Sequence, residues 1–494
     1  MYALGLLAFI NVLNYLDRNV IFALFGPIKS DLALTDTQLG WLGSAYILVY
    51  SLAALPFGVI SDLRSRRAVI AGGVAVWSLF TFFGGFVRNF WQLFTCRAAV
   101  GIGEAAFAPA ATSLVADYFP GKSRAAAMGV LASGLAVGGV LGLYLGGELG
   151  ERFGWRVAFM VVGLPGVLCA FLASRLRDPR PPKPPLTVRG YVRELEGGKR
   201  EFAVQFLPLV ITLPLAATLG IVLDQVFHTD SKADAATVAV VCALGVAWQV
   251  WYWIRAIRKG KLERTPFGHD AGSAFDEVID AGRRVVSTPT LALVFVAGAM
   301  ISFGMNGIVG WGPEYVSRSL NLSPAASAKL LGVSGLIAGT AGTLAGGFIA
   351  DWFTRHTRRG RVLTAAAGFI IGGPLAIYLL TVRDPTMFRV LFTVAFFFLS
   401  WYNGPMSAII FDVVPSRVGA TVAGAYFLFI HMAGDAIALP LIGALSDRFG
   451  LERAVFLLPI VATAGGLLLF VTSQTIVRDM ERVGSESSGV PTGA

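Results

Sequence analysis

Apolar stretches, each about twenty residues or longer, recur along almost the whole of this 494-residue chain. An α-helix rises about 1.5 Å per residue, so about 20 such residues cross the roughly 30 Å hydrocarbon core of a bilayer. Polar segments divide the stretches into groups of six, two and six. The predicted spans are 3–27, 36–61, 67–87, 91–117, 121–149, 155–175, 202–224, 233–257, 290–316, 326–350, 362–382, 387–411, 417–445 and 452–477. The sequence therefore predicts an all-α membrane protein with a 6+2+6 arrangement.

The composition agrees with lipid as the main solvent. Hydrophobic residues make up 55% of the chain and charged residues 14%, whereas soluble domains carry about 25% charged residues. The isolated cysteines Cys96, Cys169 and Cys242 and the four histidines have neither the spacing of a disulfide framework nor that of a zinc site. We expect no metal and no cofactor.

Most of the 40 lysine and arginine residues fall in loops on one side of the predicted membrane, the side of both chain ends. Because positively charged loops stay in the cytoplasm, we expect an inner-membrane protein with cytoplasmic N- and C-termini. The first apolar stretch runs into Asn14-Tyr15-Leu16-Asp17-Arg18 without a small-residue cleavage site. We therefore expect it to be a first helix and not a cleaved signal peptide.

The first six spans are echoed in the last six. Three pairs of motifs end corresponding spans: Gly58-x-x-x-Asp62 and Gly347-x-x-x-Asp351, Asp117-Tyr118-Phe119-Pro120 and Asp412-Val413-Val414-Pro415, and Arg152-Phe153-Gly154 and Arg448-Phe449-Gly450. Three matches in the same order indicate two six-helix halves related by a parallel repeat. Such halves enclose a cavity near the bilayer midplane, and rocking of one half against the other exposes it to each side in turn.

The predicted domains follow from this repeat. Residues 1–175 form the N-terminal half, 176–289 hold cytoplasmic linkers and the two extra spans, and 290–477 form the C-terminal half. The remaining residues, 478–494, are rich in glycine and serine towards their end and are expected to be a flexible cytoplasmic tail.

Charge accounting locates a site without reference to any family. Asp17, Arg18, Arg97, Glu104 and Asp435 are the charged residues that lie inside the predicted spans and away from their ends. A charge at the bilayer centre costs about 2.5–3.5 kcal/mol on insertion scales, so such residues usually face the bundle interior and act on substrate or protons. The alternative is that they form fixed ion pairs that hold the N-terminal half together.

Spacing places these groups on shared helix faces. Asn14, Asp17 and Arg18 occupy positions i, i+3 and i+4, and Arg97 lies two turns before Glu104. Our hypothesis is that Asp17 or Glu104 takes up a proton and loosens its arginine. The freed guanidinium then binds an anionic head group, because its fork matches phosphate or carboxylate.

A second group of candidates lies outside this cluster. His431 stands one turn before Asp435 and could take part in proton coupling, or the two could simply satisfy each other. Polar or amphipathic residues among apolar neighbours could line the cavity and bind substrate, with core packing as the alternative. They are Asn14, Tyr15, Tyr46, Tyr50, Asn306, Trp311, Tyr402 and Asn403.

The run Gly58-x-x-x-Asp62-x-x-x-Arg66-Arg67, its weaker copy at Asp351 and the repeat of six spans resemble the major facilitator superfamily over nearly the whole chain. The resemblance implies a conformational latch at Gly58, Asp62, Arg66, Arg67 and Asp351. The alternative for the arginines is that they are ordinary cytoplasmic charges. The two extra middle spans depart from the twelve-helix plan of this family.

Finer motifs are similar to the spinster branch. They are Asn14-Tyr15-Leu16-Asp17-Arg18, Arg97-x-x-x-Gly101-x-Gly103-Glu104-Ala105 and Gly154-Trp155-Arg156. The resemblance implies transport of lipids such as lysophospholipids and sphingosine phosphates, with proton coupling in bacterial members. An anion:cation symporter branch shares the first motif, but the Gly-x-Gly-Glu-Ala run favours spinster.

The predicted function is therefore secondary active transport of lysolipid or sphingolipid-like amphiphiles, driven by protons, by a monomer in the lipid bilayer. The alternative is a transporter of small organic anions or drugs. The sequence has no Ser-His-Asp arrangement, zinc constellation or Walker loop, so neither an enzyme nor an ATP-driven pump is expected. The positive charge is explained by the loops without a nucleic-acid partner.

Overall fold

The computed structural model describes residues 2–63, 65–119, 123–179, 248, 282, 284–285, 287–415 and 419–488. In these residues the helices are α1 (Tyr2–Leu32), α2 (Asp36–Leu63), α3 (Arg66–Gly84), α4 (Phe90–Tyr118), α5 (Arg124–Phe153), α6 (Trp155–Ser174), α7 (Pro289–Leu320), α8 (Pro324–Thr354), α9 (Gly360–Leu379), α10 (Pro385–Asp412), α11 (Gly419–Ile430, continued by His431–Asp435 and Ala436–Phe449), α12 (Leu451–Thr472) and α13 (Ile476–Ser488).

Length and apolar composition allow eleven of the described helices, α1 and α3 to α12, to cross a membrane. The protein is therefore a multi-pass membrane protein. Each of the twelve outer predicted spans coincides with one helix from α1 to α12, including the 28-residue α2. The predicted middle spans 202–224 and 233–257 lie, apart from residue 248, outside the described residues, so the 6+2+6 arrangement stays a prediction.

An ion pair repeats between the two halves. Arg66 at the start of α3 binds Asp117 at the end of α4, with 2.6 Å between Nη1 and Oδ2. In the C-terminal half Arg361 near the start of α9 binds Asp412 at the end of α10, with 2.6 Å between Nη1 and Oδ2. Both partners lie at the same sequence offset from their counterparts. The repeat seen in the sequence is therefore also a repeat of contacts.

A stripe of glycines on α5 determines how closely α1 packs in the N-terminal half. Gly134, Gly138, Gly142 and Gly146 recur every four residues and face the α1 backbone. A methyl group added at Gly138 would lie 2.8 Å from Cβ of Tyr15 and closer still to the carbonyl oxygen of Val12. Small residues at such an interface let membrane helices approach closely, and here they fix the helix that carries Asp17 and Arg18.

We expect Gly138→Ala to lower the thermal stability of the purified protein, because the added methyl group overpacks the α1–α5 contact by about 1–3 kcal/mol. Gly129→Ala on the same helix is the matched control, since no atom lies within 4 Å of a Cβ built there. The control should be neutral or stabilising, because alanine favours helix over glycine. Equal melting temperatures for the two variants would contradict this account of the stripe.

The two halves are joined at the end of the bundle formed by the α1–α2, α7–α8 and α11–α12 turns. Asp36, at the start of α2, has a side chain that is only 3% exposed. It accepts hydrogen bonds from Nη1 and Nη2 of Arg318 at 2.9 Å each, from the Ser446 hydroxyl at 2.5 Å and from Nζ of Lys29 at 2.6 Å. One buried carboxylate of the N-terminal half is thus held by two residues of the C-terminal half.

A second carboxylate strengthens this closure. Asp447, at the end of α11, accepts hydrogen bonds from the backbone N–H groups of Asp36 and Thr37 at 2.9 Å each. The carboxylate therefore caps the positive N-terminus of α2 from the opposite half. Nearby, the Trp311 ring packs on Phe25 with 5.2 Å between ring centroids. These contacts close the gap between the two halves at this end of the bundle.

Arg318→Ala should shift the protein towards a state that is open at this end. Hydrogen bonds to charged groups contribute about 1.5–3 kcal/mol, and Arg318 is partly exposed, so we expect about a tenfold change in the ratio of the two states. Spin labels at Arg152 and Ala326, on exposed positions of opposite halves, would report a longer distance. Arg383→Ala is the control, since Arg383 pairs with Glu452 within one half. An unchanged distance distribution in Arg318→Ala would contradict a closing role.

Residues 478–488, which the sequence places in a flexible tail at 478–494, belong to helix α13 in the structure. Ile476 is fully buried, and the Asp479 carboxylate accepts a hydrogen bond from the backbone N–H of Thr290 at 3.0 Å. This contact caps the start of α7. Tertiary packing thus fixes a segment that its composition alone makes polar and mobile; residues 489–494 lie outside the described residues.

Candidate functional site

Two ion pairs lie deep in the N-terminal half. Nε of Arg18 lies 2.5 Å from Oε2 of Glu104, and Nη1 of Arg97 lies 3.3 Å from Oδ1 of Asp17. The Thr81 hydroxyl also donates a hydrogen bond to Asp17. Asp17, Arg97 and Glu104 are buried, whereas the Arg18 side chain is 14% exposed. Two acids thus neutralise two arginines, and Arg18 is the member whose side chain is partly exposed.

The pairing crosses between α1 and α4. Arg18 binds Glu104 of α4 and not its neighbour Asp17, while Arg97 binds Asp17 of α1 and not Glu104 of its own helix. Adjacent residues on a helix point about 100° apart, so Asp17 and Arg18 face different partners. Breaking either pair therefore also weakens a contact between α1 and α4.

Glycines let α4 approach its neighbours closely enough to bury Glu104. A methyl group added at Gly101 would lie 2.6 Å from the Tyr46 carbonyl oxygen of α2. One added at Gly103 would lie 2.6 Å from the Gly73 carbonyl oxygen of α3. The Gly-x-Gly run thus thins α4 just before the carboxylate.

Three tyrosine rings surround the Arg18 guanidinium. Its Cζ lies 4.8 Å from the ring centroid of Tyr15, 4.6 Å from that of Tyr50 and 5.7 Å from that of Tyr46. Tyr46 also lies 5.3 Å from Cζ of Arg97. Cation–π attraction stabilises a partly desolvated guanidinium in such a position. Tyr46 on α2 thereby contacts both ion pairs. The sequence positions of these residues did not indicate this contact.

Tyr46→Leu should slow driven transport by about tenfold, because a lost cation–π contact costs about 1–2 kcal/mol. Tyr46→Phe keeps the ring and should stay within about twofold of the native rate. The measurement is pH-gradient-driven lysolipid uptake into proteoliposomes. Tyr378→Leu, which changes an exposed tyrosine of α9, is the control for loss of a ring. Equal losses in Tyr46→Phe and Tyr46→Leu would assign the effect to the hydroxyl and contradict the stacking role.

Several buried polar atoms around these pairs make no hydrogen bond to any described residue. They are Nδ2 of Asn14, Nε and Nη2 of Arg97 and Oε1 of Glu104. An unsatisfied buried donor or acceptor costs about 1–3 kcal/mol. These atoms are therefore available for a new hydrogen-bond partner at the ion pairs.

A polar cluster in the C-terminal half centres on Asp435. Its Oδ1 accepts hydrogen bonds from Nδ2 of Asn306 at 2.7 Å and from the Ser302 hydroxyl, and its Oδ2 lies 2.6 Å from Nδ1 of His431. His431 and Asp435 bound a π-helical turn in α11, a distortion that is frequent at functional sites. The Asp435 side chain is 3% exposed and that of His431 is 39% exposed, so histidine is the more accessible member of the pair.

The remaining predicted cavity residues fall in different places. Trp311, predicted to contact substrate, has a fully buried side chain in this conformation, and its Nε1 donates to the Leu439 carbonyl at 3.0 Å within the closed end. Asn306 is exposed. Tyr402 packs on Phe369 with 5.4 Å between ring centroids, and Asn403 donates to the Thr343 hydroxyl at 3.0 Å.

The predicted latch residues also separate. Arg66 is fully buried and binds Asp117, Asp178 and the Ser113 carbonyl, so it is not an ordinary surface arginine and it joins elements of a single half. Arg67 reaches the Leu176 carbonyl at 3.4 Å, and Asp351 is exposed. The surroundings of Gly58 and the side chain of Asp62 lie outside what the structure describes, so the latch stays a prediction.

Comparison with known proteins agrees with this fold. The family model described as Major Facilitator Superfamily matches residues 7–434. The chain belongs to this superfamily. It is therefore a membrane transporter and not an enzyme, as predicted, and alternating access is the general mode of the family. Among the described residues no group of three or more His, Cys, Asp or Glu side chains could hold a metal ion.

Relatives named spinster or SPNS2 match either nearly the whole chain or about a third of it. The chain is 23% identical to the sphingosine-1-phosphate transporter SPNS2 of Xenopus tropicalis, over 97% of this chain and 83% of that protein. It is 36% identical to an MFS-type efflux pump of Mycolicibacterium smegmatis, but over 34% of this chain and only 39% of the pump. The match to Drosophila melanogaster protein spinster, at 30% identity, spans 36% of this chain and likewise only 30% of that protein.

A solved structure shares the fold. It is a bacterial homologue of the human lysosomal transporter spinster, in an inward-facing and unoccupied conformation. The TM-score is 0.71 at 21% identity, over 97% of this chain and 98% of that one. The likeness to spinster inferred from the sequence motifs is confirmed.

Sequence reasoning missed two parts of this arrangement. The α5 stripe could have been found from its signal, glycine at every fourth position. The Asp36–Arg318 closure has no comparable signal, because its residues lie at span ends where charged residues are common. Their significance depends on which ends meet in the folded bundle.

Proposed function

We propose that the chain is a proton-coupled transporter of amphipathic lipids with an anionic head group, of the lysolipid or sphingolipid type, working by alternating access. The observation that carries the proposal is the Arg18–Glu104 pair, in which a partly exposed guanidinium is held 2.5 Å from a fully buried carboxylate. A guanidinium at the edge of a cavity is suited to phosphate, because its fork can donate two parallel hydrogen bonds.

Proton coupling follows from the charge balance of that pair. Protonation of Glu104 removes its negative charge and leaves Arg18 as an uncompensated buried cation, which is unfavourable in a medium of low dielectric. An anionic head group can restore neutrality. Proton and anionic substrate thus replace the carboxylate charge, and the loss of the α1–α4 contact allows the halves to rearrange.

The spinster relatives support the lipid class, because one of them is named as a sphingosine-1-phosphate transporter. In this proposal the protein acts as a monomer in the inner membrane with both termini in the cytoplasm. The concentration of lysine and arginine on the side of the termini supports that orientation. The cavity, closed at the opposite end by Asp36 and Arg318, is then accessible from the cytoplasm.

The test uses purified protein in liposomes with an imposed pH gradient. We expect a gradient-dependent flux of a labelled lysolipid, and Glu104→Gln should reduce it at least tenfold because the amide cannot exchange a proton. Glu148→Gln is the control, since Glu148 forms an ion pair with Arg152 on one turn of α5. The variant must reach the membrane at the native level.

Two results would reject parts of the proposal. Undiminished gradient-driven lysolipid flux in Glu104→Gln would remove this carboxylate from the coupling mechanism. Flux of a labelled organic anion without any flux of lysolipid would replace lipid by a small organic anion as the substrate.

A further inference from the structure

The buried charges of the two halves do not balance separately. In the N-terminal half Asp17 and Glu104 are each paired with an arginine. Asp435 is the remaining carboxylate that lies away from the span ends, and among the described residues no lysine or arginine contacts it. A buried carboxylate without a permanent cationic partner is costly, so its charge must be balanced by a protonated His431 or by a cation from outside the protein.

The hydrogen bonds around Asp435 have determined directions. The Ser302 hydroxyl donates to Asp435, so its oxygen is free to accept, and Nδ2 of Asn306 donates to it at 3.4 Å and to Asp435 at 2.7 Å. Both amide hydrogens of Asn306 are thus used. Its carbonyl oxygen is left as an acceptor on an exposed side chain.

His431 presents a second acceptor. With Asp435 ionised, Nδ1 of His431 carries the hydrogen that bonds the carboxylate at 2.6 Å. When the imidazole is neutral, Nε2 has a free lone pair, on a side chain that is 39% exposed. The accessible surface of the cluster therefore offers acceptors, with a negative charge directly behind them.

We propose that Asn306, His431 and Asp435 form a subsite for the ammonium group of a zwitterionic amphiphile, while Arg18 takes its anionic group. An ammonium group supplies N–H donors to the two acceptors and positive charge to the buried carboxylate. Helix α2, which carries Tyr46 and Tyr50 beside Arg18, packs against the π-helical turn of α11. Both subsites therefore border the same space between the halves. This inference rests on the proposed function and specifies its substrate class.

The test compares three lysolipids with the same acyl chain, measured by equilibrium binding to the full-length protein in nanodiscs. They are lysophosphatidylethanolamine, with N–H donors, lysophosphatidylcholine, with charge but no N–H donor, and lysophosphatidic acid, with neither. We expect the ethanolamine form to bind about tenfold more tightly than the acid form, since charge-assisted hydrogen bonds have this strength. The choline form should fall between them.

Two variants examine the subsite. Asp435→Asn should bring the ratio of the ethanolamine and acid affinities close to one, and leave the affinity for lysophosphatidic acid within about twofold. Asn306→Ala changes an exposed side chain that the fold does not require, and should reduce the same ratio several-fold. Gln474→Ala removes an exposed amide remote from α11 and should leave the ratio unchanged.

The possible outcomes distinguish a failure of the ammonium subsite from a failure of the proposed lysolipid transport. Equal binding of all three lysolipids to the native protein overturns the ammonium subsite and leaves lysolipid transport intact. Loss of gradient-driven flux in Asp435→Asn with an unchanged head-group preference also overturns it, and makes Asp435 a proton site. Binding of none of the three rejects the proposed function and this inference together.

Discussion

The cost of burying charge in an apolar medium governs this molecule. Ionised groups inside a bilayer persist only when they are paired or hydrogen-bonded, or are used by substrate and protons. The N-terminal half meets this requirement with two crossed arginine–carboxylate pairs between α1 and α4. The C-terminal half meets it with neutral donors around Asp435. The two halves therefore have similar architecture, but each presents a polar cluster of different chemistry.

Close helix packing is what keeps the charged groups in register. Lipid supplies little hydrophobic force between membrane helices, so small residues and short backbone distances hold them together. The α5 glycines fix α1, and Gly101 and Gly103 fix α4 against α2 and α3. As a result Arg18 and Glu104, which are 86 residues apart in the sequence, meet at hydrogen-bond distance.

Helix α2 links the site to the closed end of the bundle. Its first residue, Asp36, binds Arg318 of the opposite half, and its N-terminus is capped by Asp447. About three turns further along the same helix, the ring of Tyr46 lies against the guanidinium groups of Arg18 and Arg97. A helix moves as a rigid unit over such a length, so a rearrangement of the ion pairs and an opening of the far end share one structural element.

The sequence by itself determined the membrane class, the twelve outer spans, the two-half repeat and the charged residues inside the spans. These properties follow from local composition and length, because the bilayer imposes the same requirement on every segment. Only the tertiary structure decided that Arg18 pairs with Glu104 and not with Asp17, that Trp311 is sealed in the closed end, and that Arg66 is buried within one half. It also decided that residues 478–488 are helical. Each of these depends on which helix faces which, and that is set by contacts between residues far apart in the chain, where apolar patterning carries no information on partners.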